Sequence, residues 1–209
     1  MSVKKTASEK KGDIFIVSAP SGAGKTTLCY ELLKRIPRLR HSVSYTTRPP
    51  RKGEADKVHY HFVTKNRFMK MIENNEFAEW AIVHGNLYGT SIKKLEESNN
   101  QGYDIILDID VQGAAQMRRK FRDAFYIFIL PPSSKALKER LSGRKSDSKE
   151  EIKKRLERAI DEMASYNKYD YIIINDKLAD ALRELESIII SSRLRTKRAD
   201  LSRINKITK

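Results

Sequence analysis

Near the start of the chain, a turn that contains two glycines lies between an apolar run and an amphipathic stretch. The run at 14–17 is rich in β-branched residues and predicts a strand, whereas 25–36 carries leucine and isoleucine at helical spacing. The segment 19–26 reads A-P-S-G-A-G-K-T and departs from the pattern G-x-x-x-x-G-K-[ST] only at its first position. A strand, a glycine turn and a helix in this order predict a phosphate-binding loop in an α/β fold.

The residue types of this loop suit the phosphates of a nucleoside triphosphate. Gly22 and Gly24 permit positive φ and a close approach of backbone N–H groups to phosphate oxygens. Lys25 adds a positive charge, and the Thr26 hydroxyl is placed to bind Mg²⁺. We therefore assign triphosphate binding to the whole loop: Ala19, Pro20, Ser21, Gly22, Ala23, Gly24, Lys25, Thr26 and Thr27. The loop alone does not distinguish an ATPase, a GTPase and a kinase.

Hydrophobic patterning predicts the layout of the rest of the chain. Fully apolar strands at 103–109, 124–130 and 169–174 alternate with helices, which predicts a parallel sheet covered on both faces. The block 42–90 reads as strand-rich, with strands expected at 41–47, 58–63 and 77–83, and a single long helix is expected at 149–167. We predict a three-layer α/β core (13–41, 91–137 and 166–192), a β-rich insertion (42–90), a helical insertion or lid (138–165) and basic tails (1–12 and 193–209).

The predicted strand at 103–109 ends in acidic residues. Asp108 and Asp110 follow buried positions and would lie at the carboxyl edge of the sheet, close to the phosphate-binding loop. There they could help to hold Mg²⁺. They could equally be caps for the next helix.

Composition excludes several classes of protein. With 33% charged and 39% hydrophobic residues the chain is typical of a folded domain. Its longest apolar run, at 124–130, is far shorter than the ~20 residues of a membrane span. A single cysteine excludes an internal disulfide, and no signal-peptide pattern is present, so we expect a cytoplasmic protein without a membrane partner.

The net charge of +15 is concentrated at the two ends of the chain, since more than half of it lies within 1–12 and 193–209. Solvated ends are the simpler interpretation, and contact with nucleic acid or an acidic partner is the alternative that we do not adopt. The oligomeric state is left open.

A second anion site is predicted by the segment 44–54, which combines hydroxyl and guanidinium groups. Arg48 and Arg51 flank two prolines whose fixed φ restricts the loop. Two guanidinium groups held in this way suit a phosphate dianion. Tyr60, on the following strand, could add a phenol.

Together these motifs resemble the guanylate kinase family, the kinases that transfer phosphate from ATP to GMP. The resemblance covers about 13–190 and rests on the loop and on five further segments: 42–54, 75–80, 88–90, 106–113 and 140–144. Ala19 also occurs in bacterial-type members. The resemblance implies that the chain transfers the terminal phosphate of MgATP to GMP, giving ADP and GDP, with Mg²⁺ bound through Thr26 and Asp108.

The resemblance also implies roles for individual residues. GMP would be bound by Ser44, Arg48, Arg51, Tyr60, Glu79, Tyr88, Thr90 and Asp110. Catalysis would depend on Lys25, Arg48 and the lid arginines Arg140, Arg144 and Arg155. Asn175 would border the adenine of ATP. Guanine presents N1–H and its 2-amino group side by side, and a carboxylate such as that of Glu79 accepts from both, whereas adenine lacks these donors.

Two alternatives remain at this point. Another nucleotide kinase, acting on AMP or dTMP, would leave Glu79 beside Ser44 and Thr90 unexplained. An inactive module that binds phosphorylated peptides would not need Lys25, Thr26 or the lid arginines.

Overall fold

The computed structural model describes residues 11–83, 85–142, 149–199 and 201–208. In chain order the elements are β1 (Ile14–Ser18), α1 (Lys25–Arg35), β2 (Leu39–His41), β3 (Tyr45–Thr46), β4 (His61–Phe62), α2 (Lys65–Glu73), β5 (Phe77–Val83), β6 (Asn86–Ser91), α3 (Ile92–Asn100), β7 (Asp104–Asp108), α4 (Val111–Lys120), β8 (Phe125–Leu130), α5 (Ser134–Ser142), α6 (Lys149–Met163), β9 (Tyr171–Ile174), α7 (Leu178–Arg193) and α8 (Leu201–Ile207). Short 3₁₀ turns lie at Tyr166–Lys168 and Thr196–Arg198. Residues 143–148 of the predicted insertion, which include Arg144, and residues 1–10 of the N-terminal tail lie outside the described residues.

The core is a parallel sheet with helices on both faces. Its strand order is β2-β7-β1-β8-β9, and every neighbouring pair is parallel. On one face Phe15 and Ile106 pack with Leu28 of α1 and Leu185 of α7. On the other face Ile16 and Tyr126 pack with Leu95 of α3 and Met117 of α4. The three-layer α/β fold predicted from the apolar strands is therefore confirmed.

A second, four-stranded sheet has the order β4-β3-β6-β5. β5 and β6 form an antiparallel hairpin in which Glu79 lies opposite Thr90. This sheet is attached to the core through α4, where the Gln116 side chain hydrogen-bonds both backbone groups of Trp80 and Lys120 donates to the Phe77 carbonyl. The hairpin is thereby held against the carboxyl edge of the parallel sheet.

Three predicted elements differ from the structure. The strand expected at 41–47 is two strands in different sheets, because alternation indicates an extended backbone but not the sheet that it joins. Only His61–Phe62 of the strand expected at 58–63 is extended, since a turn in which Lys57 has φ 63° occupies the residues before it. The long helix ends at Met163, where Ser165 and Asn167 favour non-helical backbone.

The C-terminal residues nearest the core are anchored rather than solvated. Asp104, at the start of β7, is 1% exposed, and Arg193 Nε donates to its Oδ2 atom over 2.7 Å. Arg198 donates to Asp104 Oδ1 over 3.1 Å, and the same oxygen accepts from the Asp13 backbone N–H. The interpretation of this tail as solvated is therefore wrong for Arg193 and Arg198. Among the described residues, none of the helices is both long and apolar enough to cross a membrane.

We expect Arg198→Met to lower the free energy of unfolding by ~1–3 kcal/mol, because it removes one of the two cations that face a buried carboxylate. Lys197→Met is the matched control: it removes the same charge from an exposed neighbour on the same turn. Urea denaturation of both variants measures the difference. Equal midpoints would contradict the anchoring role.

Candidate active site

The phosphate-binding loop connects β1 to α1, and its last three residues, 25–27, form the first turn of the helix. Gly22 and Gly24 both have φ of 89°, a backbone conformation that L side chains rarely adopt. Gly24 is the N-cap of α1 and supplies no side-chain cap to the N–H groups of the first turn. The loop therefore presents backbone donors at the positive end of a helix, which is a site for anionic groups.

Asn175 and Arg140 support this loop from the core. Asn175 is 5% exposed, and its side-chain amide donates to the Ala23 carbonyl over 2.7 Å. A Cβ atom on Gly24 would lie 2.5 Å from the same amide, so the loop packs closely on Asn175. Arg140 donates to the Asn175 carbonyl over 2.9 Å. Both residues fix the conformation of the loop backbone.

Lys25, Thr26 and Asp108 meet at the carboxyl end of β7. Lys25 Nζ donates to the Ile109 carbonyl over 2.8 Å, and Thr26 Oγ1 donates to Asp108 Oδ2 over 3.4 Å. His41 Nε2 lies 2.7 Å from Asp108 Oδ1. Burial opposes the charged form of Asp108, but the hydrogen bond from His41 and the charge of Lys25 outweigh it and lower the pKa of the carboxyl.

The two acidic residues at this edge have different roles. Asp110 is the N-cap of α4, and its Oδ1 atom accepts from the Gly113 N–H over 2.7 Å. The helix-cap alternative therefore holds for Asp110. Asp108 keeps an ionised carboxylate beside the Thr26 hydroxyl, and these are the hard oxygen donors that Mg²⁺ takes together with phosphates and water. The side chains present fit a magnesium ion.

A cleft of about 420 Å³ lies between this edge and the second sheet. Ser44, Tyr60, Glu79, Tyr88, Asp108 and Asp110 line it, together with Thr26, Tyr30, His41, Glu54 and His59. One cavity is thus lined both by residues that the sequence assigned to GMP and by residues that it assigned to MgATP.

Glu79 is the buried carboxyl group of the cleft. It is 5% exposed, and its Oε1 atom accepts from Thr90 Oγ1 over 2.5 Å across the hairpin. Burial raises the pKa of Glu79 to about 7, although the Thr90 hydroxyl favours the charged form. A Cβ atom on Gly113 would lie 2.8 Å from Glu79 Oε2, so only glycine leaves room for this carboxyl.

Arg48 is held in place beside two tyrosines. Its NH2 group donates to both carboxylate oxygens of Glu54, over 2.7 and 2.9 Å, and its guanidinium carbon lies 5.5 Å from the centre of the Tyr60 ring. The Tyr60 and Tyr88 rings meet edge to face at 5.8 Å. Arg51, by contrast, is exposed, and its backbone N–H donates to Glu54. The structure therefore brings Arg48, Tyr60 and Tyr88 together and leaves the Arg51 side chain at the surface.

The helix α6 contacts the loop from the other side. Glu162 Oε2 accepts from the Ser21 backbone N–H over 3.2 Å. A cavity of about 740 Å³ between α6 and the hairpin is lined by Ser21, Arg155, Arg158 and Glu162, among others. Arg155 therefore faces the space next to the phosphate-binding loop.

Known proteins resemble this chain over most of its length. A sequence model of guanylate kinase matches residues 11–192. The guanylate kinase of Geobacter sulfurreducens is 54% identical over 190 residues, which cover 91% of this chain and 94% of that protein. The chain belongs to the guanylate kinase family.

Other members support the assignment. The guanylate kinase of Carboxydothermus hydrogenoformans is 47% identical over 91% of this chain and 93% of that protein. The crystal structure of guanylate kinase from Anaplasma phagocytophilum has a TM-score of 0.73 and 32% sequence identity, covering 91% of this chain and 90% of that chain. The family likeness thus extends from sequence to fold.

Two residues that the structure places at the site of this guanylate kinase family member were not identified from the sequence. Glu54 holds Arg48, and a signal existed, since both lie in one short loop of a predicted anion site. His41 contacts Asp108, and no sequence signal marked this contact, because the predicted strand at 41–47 placed His41 at the start of a strand rather than at the end of β2. Strand order was needed to place β2 beside β7, and the sequence alone does not supply it.

Proposed function

We propose that the protein transfers the γ-phosphoryl group of MgATP to GMP, giving ADP and GDP. The observation that carries this proposal is the cleft in which the buried carboxyl of Glu79 faces the same space as Thr26 and Asp108. A guanine-reading group and a triphosphate site that open into one cavity are what such a transfer requires.

The second sheet would bind GMP. Glu79 accepts from guanine N1–H and the 2-amino group, while Ser44, Thr90 and Asp110 complete the edge around the base. Arg48, Tyr60 and Tyr88 would hold the phosphate, with Arg51 joining them when the loop closes. Because Glu54 already fixes the Arg48 guanidinium, little side-chain entropy remains to be lost when the phosphate binds.

The loop residues 19–27 would bind the ATP phosphates, with Asn175 close to the adenine. Thr26 and Asp108 would hold Mg²⁺, which neutralises phosphate charge and orients the γ-phosphoryl group. A GMP phosphate oxygen is ionised near neutral pH, so the attack needs no general base. Lys25 and Arg48 hold the two phosphates in position and stabilise the charge of the transition state.

We further propose that 42–90 and 138–165 close over the core formed by 13–41, 91–137 and 166–192. Closure brings Arg144 and Arg155 onto the ATP phosphates, where they join Arg140, which already lies against the loop, and it excludes water, which would otherwise accept the phosphoryl group. Arg155 already lines the cavity beside the loop, which supports this assignment. The single cysteine and the nucleotide substrates are in keeping with a cytoplasmic enzyme.

The pKa of Glu79 gives the affinity for GMP a pH dependence. In the free protein this pKa is about 7, and guanine requires the ionised form. Below pH 7 the protein must therefore lose a proton to bind, so the KM for GMP rises by ~10-fold per pH unit. Initial rates between pH 5.5 and 8.5 measure this rise, which levels off above pH 8. The phosphate of GMP also titrates in this range. A Glu79→Gln variant lacks the carboxyl group, so its pH profile shows the contribution of the GMP phosphate alone. If the wild type and this variant gave identical profiles, the role of Glu79 would be contradicted.

A panel of acceptors tests the function directly. ADP formation from ATP is measured with GMP, AMP, dTMP and water offered separately. We expect turnover with GMP alone. Preference for AMP or dTMP would favour another nucleotide kinase, and turnover with none of the four would favour the inactive binding module.

A further inference from the structure

His41 is the last residue of β2 and makes a direct contact with Asp108, the last residue of β7. The two strands are parallel neighbours in which His41 pairs with Ile106, so the imidazole reaches the carboxylate from the next strand. His41 Nε2 and Asp108 Oδ1 are 2.7 Å apart. In the Nε2–H tautomer of His41 the imidazole donates this hydrogen bond and the carboxylate oxygen accepts it.

The imidazole is itself held in place. Its ring stacks on Tyr30 of α1, with ring centres 5.9 Å apart and planes at 24°. Both rings line the cleft with Thr26 and Asp108. His41 thus joins α1, which carries Thr26, to the strand that carries Asp108.

This contact selects one orientation of the carboxylate. With Oδ1 taken by His41, Oδ2 faces Thr26 Oγ1 at 3.4 Å. An aspartate that lacked the first hydrogen bond could rotate about its terminal bond, which has a broad energy profile. A carboxylate that is free to rotate must be fixed each time the metal binds. The cost of fixing it lowers the affinity for the metal.

We propose that His41 is a positioning residue that aims Asp108 Oδ2 at the magnesium ion of the bound nucleotide. The proposal rests on the function proposed above. His41 touches neither substrate nor metal in this role and acts through Asp108. Removing the hydrogen-bond partner of a metal ligand typically costs ~10–100-fold in metal affinity or activity.

The test compares substitutions that separate the hydrogen bond from the ring. His41→Phe keeps a ring to stack on Tyr30 and removes the donor. His41→Gln replaces the ring but keeps an N–H donor at a similar reach, and His41→Asn is too short to reach Asp108. His61→Phe is the matched control, because His61 stacks on Tyr45 in the second sheet, outside the set of residues that line the cleft.

The first readout is binding, not turnover. Calorimetry measures the affinity for β,γ-methylene-ATP with excess Mg²⁺ and with EDTA, and the ratio of the two is the magnesium enhancement. We expect His41→Phe and His41→Asn to lower this enhancement by ~10-fold with the EDTA value unchanged, and His41→Gln and His61→Phe to retain it. A residue that merely supports the fold would shift both affinities together.

The second readout is kinetic. We expect His41→Phe to need a higher Mg²⁺ concentration for half-maximal rate and to leave the KM for GMP unchanged. The role of His41 would be overturned if His41→Phe and His41→Asn showed the same magnesium enhancement as the wild type. It would also be overturned if the wild type showed no enhancement. Failure of the proposed function is distinct, because it would appear as a wild-type protein that forms no ADP with GMP.

Discussion

Replacing Lys25 with alanine is expected to lower kcat by ~10²–10³ while the protein stays folded. Lys25 is the first residue of α1 and belongs to the loop that would hold the β- and γ-phosphates. In phosphoryl transfer the charge of the moving group spreads over its oxygens, and a fixed cation at this position stabilises the transition state more than the ground state.

The fold should survive because the structural contact of Lys25 is small. Its Nζ atom donates to the Ile109 carbonyl, and a single such hydrogen bond contributes ~1 kcal/mol to stability. Lys34→Ala is the matched control, since Lys34 lies on the same helix with its side chain 67% exposed and paired with Glu31. Rates of ADP formation at saturating ATP and GMP measure the effect. A Lys25→Ala variant that turns over like the Lys34→Ala control would refute the assignment of the loop.

Replacing Glu79 with glutamine is expected to raise the KM for GMP by ~10²–10³ and to reduce the preference for GMP over AMP. A glutamine amide offers one oxygen and one NH₂ group where guanine presents two donors. One guanine donor would therefore meet another donor in a buried site, which costs a full unpaired hydrogen bond. The GMP-to-AMP ratio of kcat/KM is the measurement, and an unchanged ratio would remove Glu79 from guanine recognition.

The same substitution should not unfold the protein. Because burial raises the pKa of Glu79 to about 7, the ionised carboxyl opposes folding at pH 8, and the neutral amide removes that penalty. Unfolding at pH 8 should show the Glu79→Gln variant at least as stable as the wild type. Glu76→Gln, at an exposed position just before β5, is the control for loss of a charge in this region.

Features that depend on residues close together in the sequence could be predicted from it. The phosphate-binding loop is encoded in a single stretch, and β7 and β8 are buried on both faces and read as continuous apolar runs. The strand predicted at 77–83 coincides with β5. These signals are local, so one sequence suffices to read them.

Features that depend on strand order could not be predicted in the same way. The split between β2 and β3, the contact of His41 with Asp108 and the anchoring of Arg198 all require knowing which strands are adjacent. The separate roles of Asp108 and Asp110 also emerged only in three dimensions. Sequence placed both at the same edge, and the structure shows that Asp110 caps α4 whereas Asp108 lies beside the Thr26 hydroxyl.

The most direct test of the account is a crystal structure with GMP and β,γ-methylene-ATP bound together with Mg²⁺. We expect guanine N1 and the 2-amino group within hydrogen-bond distance of Glu79. The GMP phosphate should lie on Arg48, Tyr60 and Tyr88 and face the triphosphate held by the loop. GMP bound outside the cleft between the two sheets, or bound there with its guanine turned away from Glu79, would contradict the account.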